Sequence, residues 1–149
     1  LFLLILTTLI AVTLSKTIRV TINLKGTKYY WNWNPKTNTI FLGTKPSPWK
    51  LDNDTYNGIG ITTTFPIWPF PEKKVQCNGI GKLLTTNRTD DKPHQFWNIA
   101  FPPPSYPIPI PCMQKTGVHV PLREYANPSR FGIISKDDRR PQWVIKTLK

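Results

Sequence analysis

Two histidines, two cysteines, two acidic pairs and a run of lysines among aromatic rings are the side chains here that could do chemistry. Catalysis needs them in constellations, and the spacing supplies few. His94 and His119 each lack a partner at metal-ligand spacing, and a lone histidine is usually structural. Asp90-Asp91 and Asp137-Asp138 are the acidic pairs. The second runs into Arg139-Arg140 and reads as a solvated, ion-paired turn. Cys112 with His119 seven residues on has the types of a thiol nucleophile and its base, but in a secreted protein a disulfide is the expected fate of Cys112. The sequence has no Gly-rich phosphate loop, no GxSxG and no CxxC. The expectation is a protein that is not an enzyme and needs no cofactor or metal.

The lysines carry a stronger signal. The chain holds 20 Lys+Arg against 8 Asp+Glu, a formal charge of +12. From Lys16 to Leu51 there are seven basic residues and no acid, interleaved with Tyr29, Tyr30, Trp31, Trp33 and Trp49. Cations among rings suit contact with phosphate or sulfate plus stacking. They also suit a strand meander with lysine outside and aromatic core inside, the preferred reading because six Trp must pack somewhere. Lys25, Lys28, Lys36 and Lys45 are the candidate surface for a polyanion or receptor. No nucleic-acid module motif accompanies them, so nucleic acid is not an expected partner. A cell-surface receptor or an acidic glycosaminoglycan is.

The compartment follows from residues 1–15, LFLLILTTLIAVTLS, uncharged and shorter than a bilayer span. The run ends in Thr13-Leu14-Ser15, with small residues where a signal peptidase cuts, and reads as a signal peptide; a buried core element is the alternative. Secretion makes the two sequons, Asn53-Asp54-Thr55 and Asn87-Arg88-Thr89, candidate glycosylation sites in polar, turn-like stretches. It also favours a Cys77–Cys112 disulfide closing a loop of 35 residues, the alternative being that each cysteine pairs elsewhere. The expected location is the secretory pathway, then the extracellular or virion/cell surface.

These groups must be positioned by strands. Sixteen prolines exclude a helical bundle, and 12% aromatic residues argue against disorder. Residues 17–24 (TIRVTINL) alternate apolar and polar with a period of two. With 28–33 (KYYWNW) and 39–43 (TIFLG) they predict a three-stranded antiparallel meander. Further strands are expected at 58–65, 73–77, 82–86, 117–122, 132–135 and 143–148. Residues 101–111, FPPPSYPIPIP, must be extended, and are expected to be unpaired. No internal repeat is read. The fold class is mainly β: a small antiparallel β domain with long Pro-rich irregular segments after a signal peptide. The divisions are 1–15 (signal), 16–100 (β-rich domain) and 101–149 (Pro-rich segment and C-terminal strands).

The order of features resembles the surface subunit of a retroviral envelope of the betaretrovirus and endogenous class-II (HERV-K-like) type. Residues 17–23 (TIRVTIN) are similar to its early strand, and Ile40–Gly43 with Asn53–Thr55 to the stretch after it. Residues 61–68 (ITTTFPIW) followed by Cys77 resemble its Pro-containing segment and cysteine. The resemblance implies an N-terminal envelope fragment whose ancestral role is receptor attachment, partnered in the full-length protein by a transmembrane subunit that performs fusion. The other reading is a host secreted cationic protein that binds polyanions or microbial surfaces.

Overall fold

The computed structural model describes residues 17–54, 56–64, 71–79, 82–114, 118–121, 133–136 and 142–149, the segments 118–121 and 133–136 by backbone only. The leader, Trp68 and Asp137–Arg140 lie outside the described residues.

Among the described residues there are ten strands: β1 (Thr17–Leu24), β2 (Tyr30–Asn34), β3 (Thr39–Gly43), β4 (Trp49–Asp54), β5 (Gly58–Thr63), β6 (Lys74–Gln76), β7 (Thr85–Asn87), β8 (Val118–Pro121), β9 (Ile133–Lys136) and β10 (Trp143–Thr147). They make up 47% of the described residues, beside a single 3-10 turn at Pro93–Gln95. The mainly β class is therefore the observed one. The main sheet runs β10-β1-β2-β3-β7-β6-β5-β4, and pairing of β1 with β4 closes seven of these strands into a barrel, with β10 as an extra strand on β1.

Short bridges form a second closed circuit. Ile59 and Trp97 exchange both backbone hydrogen bonds, at 3.0 and 2.9 Å. The next pairing joins residues 96–98 to 111–113, through Asn98 N to Pro111 O and Met113 N to Phe96 O. Ile108 and Trp143 then exchange both bonds, at 2.9 and 2.7 Å. The circuit thus runs β1, β4, β5, 96–98, 108–113, β10 and back to β1. Its members come from both sides of residue 100.

Three hairpins lie outside this circuit: β2–β3, β6–β7 and β8–β9. The described residues therefore form three units of four paired segments, the ten strands together with the bridged segments 96–98 and 108–113, each unit giving its first and last segments to the circuit and its middle two to a hairpin. That is the arrangement of a β-trefoil. The repetition lies in the pairing pattern, which recurs three times, and not in the residue sequence.

The threefold pattern is matched by three tryptophans in the core. Trp49, Trp97 and Trp143 occupy the closing strand of each unit, 48 and 46 residues apart. All three are buried and meet the ring of Trp31 edge-on, at centroid distances of 6.2, 6.4 and 5.6 Å. Edge-to-face contact places the positive ring edge on the negative face. Each buried indole removes roughly 200 Å² from water, worth at most about 5 kcal/mol. The lysine-outside, aromatic-inside alternative is thus realised for Trp31 and Trp49.

Three further expectations change. β4 is an added strand where Pro46 and Pro48 point to a break; both prolines lie in the loop, and the strand begins at Trp49 with Trp49 and Leu51 buried and Lys50 more exposed. Asn53 consequently lies half-buried in a paired strand, opposite Ile59, and not in a turn. Residues 101–111 contain no helix and bend at 101–102 and 105–106, and Ile108 and Pro111 are paired. Proline forfeits only its own N–H, so Pro111 still accepts through its carbonyl. The Cys77–Cys112 disulfide is present, tying the residue after β6 to the circuit, so Cys112 offers no thiol to His119.

Candidate functional site

The outward face of the β1–β4–β5 seam carries a group of charged side chains. In β1, Ile18, Val20 and Ile22 turn toward the core, so Arg19 turns out. In β4, Trp49 and Leu51 are buried and Lys50 turns out. The register puts Arg19 directly opposite Lys50, and directly opposed side chains have Cβ atoms about 5 Å apart. Two cations therefore stand side by side. Lys50 Nζ pairs with Glu72 Oε2 at 2.5 Å. Among the described residues the other ion pair is His94–Asp90, so neither Arg19 nor Lys45 has a carboxylate at ion-pair distance there. One step along the seam, Asp52 accepts from the hydroxyls of Thr17 and Thr62, at 2.9 and 3.0 Å.

The loop from β3 to β4 walls one side. The amide of Asn32 donates to the carbonyl of Lys45 (3.0 Å) and accepts from the hydroxyl of Ser47 (2.7 Å), fixing that loop. Gly43 makes room for it: a Cβ there would stand 2.8 Å from Asn32 Nδ2. Between loop and seam lies a cleft of about 700 Å³ lined by Arg19, Lys45, Lys50, Glu72 and Trp33, with Thr63 and Thr64. That volume suits a small ligand. Its neutral polar groups are already engaged. Ser47 bonds Asn32, Thr64 donates to Pro48 O, Thr63 accepts from Lys73 N, and Trp33 Nε1 donates to Thr86. The cleft thus combines cations, the Glu72 carboxylate and ring surface.

Of the lysines singled out by sequence, all four are exposed. Lys25 and Lys28 share the turn between β1 and β2. Lys45 follows Gly43, which pairs with Tyr30, so it lies at the same end of the β2–β3 hairpin. Lys36 sits at the hairpin's other end, about 16 Å away along a five-residue strand. The fold thus gathers three of the four. Asn87 is exposed at the end of β7. The backbone of His119 is in β8. Sequence reasoning misses Lys50, Arg19 and Glu72 as site residues. Their types are visible in the chain, but the pairing that joins β1 to β4 is not. Among the described residues no three His, Cys, Asp or Glu side chains cluster to hold a metal, and no helix is long and apolar enough to cross a membrane.

At the far end of β4 the carboxyl of Asp54 is held below the usual range, first by the backbone N–H of Tyr56 and then by the side-chain amide of Asn57.

No protein-family model matches this chain, and no curated protein does. Solved structures do. A crystal structure of the lysenin pore aligns with a TM-score of 0.69 at 14% identity, over 89% of this chain and 47% of that one. A complex of lysenin with phosphocholine aligns at 0.70 and 15% identity, over 89% of this chain and 45% of that one. The chain spans about half the length of these lysenin chains, and the likeness is one of fold.

Proposed function

We propose that this protein is a secreted attachment module that binds an anionic group on a cell surface, a receptor or an acidic glycosaminoglycan, without catalysis. The observation that carries the reading is the meeting of Lys25, Lys28 and Lys45 at one end of the β2–β3 hairpin, exposed and in a stretch free of acid from Lys16 to Leu51. Clustered cations raise the local concentration of a polyanion and bind it with counterion release. The disulfide supports an oxidising compartment, and the sequons at Asn53 and Asn87 suit the same route.

The envelope resemblance points to the same work. Receptor attachment by a surface subunit requires an exposed binding face on a stapled domain, and fusion belongs to its transmembrane partner. Lysenin, solved in complex with phosphocholine, is a protein of similar fold that binds a small phosphate-bearing molecule, which makes phosphatidylcholine vesicles the informative competitor.

The test is heparin affinity against salt. The slope of log affinity with log salt becomes shallower by roughly one for each sulfate or phosphate group that the protein no longer neutralises. On that scale K25Q/K28Q/K45Q is expected to flatten it by about two to three, and K36Q alone by less than about one. An unchanged elution salt in the triple variant refutes the reading. Binding to phosphatidylcholine vesicles that heparin does not compete for moves the target to a lipid surface.

A further inference from the structure

The cleft beside the β1–β4 seam has a chemistry distinct from the lysine cluster, with which it shares only Lys45. Two cations, Arg19 and Lys50, are fixed directly opposite each other by strand register, and like charges so placed repel. Glu72 pairs with one of them, and no described carboxylate lies at ion-pair distance from the other, Asp52 standing one step along the seam on the hydroxyls of Thr17 and Thr62. An anion seated between them would relieve the repulsion. It would also have to displace Glu72, a single negative charge, from Lys50. A second monocarboxylate gains little by that exchange. A dianion that reaches Arg19 and Lys50 together makes an interaction with Arg19 that Glu72 does not. Phosphate monoesters carry nearly two charges at neutral pH and three strong acceptor oxygens, and guanidinium binds them in bidentate fashion.

The remaining lining narrows the ligand further. The hydroxyls of Ser47 and Thr64 have given their protons to Asn32 and Pro48 and that of Thr63 accepts from Lys73 N, so the charged groups carry most of the recognition. Trp33, its N–H already given to Thr86, contributes ring surface to the cleft. We infer that this cleft is a binding site for a phosphate monoester carried on a small ring or apolar group, with Arg19 and Lys50 holding the phosphate, Trp33 flanking its substituent and Glu72 acting as the competitor that excludes weaker anions.

The experiment is calorimetric titration of the full chain with phenyl phosphate, inorganic phosphate and benzoate at low salt. Phenyl phosphate is expected to bind at least fivefold more tightly than inorganic phosphate, and benzoate not measurably. R19Q should weaken phenyl phosphate at least fivefold and E72Q should strengthen it, each with an unaltered far-ultraviolet dichroism spectrum. Lys36 is remote, so K36Q should change nothing. Inorganic phosphate binding as tightly as phenyl phosphate overturns the role of Trp33. Phenyl phosphate binding that is absent, or equal in R19Q and E72Q, overturns the site. Because E72Q alters only a half-exposed side chain, its outcome decides even if R19Q fails to fold. Heparin run in parallel separates the two readings: absence of phosphate monoester binding with an intact heparin salt slope removes this site alone.

Discussion

Replacing Trp31 with leucine tests the account of the core. Trp31 is fully buried, and its ring receives three others edge-on at 5.6 to 6.4 Å. Each such pair is worth about 0.5–1.5 kcal/mol beyond the area it buries, and three pairs sharing one ring sum to about 3 kcal/mol. Leucine keeps the site apolar but fills less of it, and the residual cavity adds about 1–2 kcal/mol. The expected loss is therefore about 4 kcal/mol, a large fraction of the roughly 5–15 kcal/mol available to a domain. The melting temperature should fall by about 10 °C or more. Urea unfolding followed by far-ultraviolet dichroism measures the loss without relying on tryptophan emission, and the near-ultraviolet spectrum should lose most of its fine structure. W33L, at a half-buried ring outside the trio, should cost less than half as much. A loss below about 1 kcal/mol in W31L would refute the claim that one ring organises the three units.

Other outcomes follow from single contacts. Removing the bridge in C77S/C112S opens a 35-residue loop and should cost about 4 kcal/mol by chain entropy, measured by urea titration against the oxidised parent. G43A should destabilise by more than about 1 kcal/mol, because its Cβ would strike Asn32 and release the loop holding Lys45. Asp54 has a folded-state pKa below its unfolded value, so its contribution is present above the ordinary carboxylate range and is lost as pH falls through the lowered value. D54N should flatten the acid limb of the stability profile, and a carboxyl titration by NMR should show the depressed midpoint. In secretory expression, peptide mapping should find more glycan at exposed Asn87 than at Asn53, which is half-buried in β4.

Local pattern carries much of the fold. The alternation of residues 17–24 specifies β1, because a period of two separates faces without reference to any partner. β4 begins with the same alternation, Trp49 and Leu51 against Lys50 and Asp52. Pro46 and Pro48 mask it, although prolines stop a strand only if they lie within it. The closed circuit is not legible in the chain, since its bridges at Ile59, Trp97 and Ile108 join single residues far apart in sequence. The spacing of Trp49, Trp97 and Trp143 is the one signal that could expose it. For the site, composition marks Lys25, Lys28 and Lys45, but the Arg19–Lys50 juxtaposition depends on a pairing 31 residues apart. No local periodicity encodes that distance.

The closure of β1 by β10 also has a mechanical side. The two strands are antiparallel, with Leu24 opposite Trp143 and Val20 opposite Thr147. The chain therefore enters β1 and leaves β10 at the same edge of the pair. A pull on those two points loads the ladder one rung at a time, from Val20–Thr147 toward Leu24–Trp143, instead of shearing all rungs together. A domain held between two tethers at those ends should yield by unzipping at low force. Tension across an attached surface would thus release β10, and with it Trp143 from the central indole.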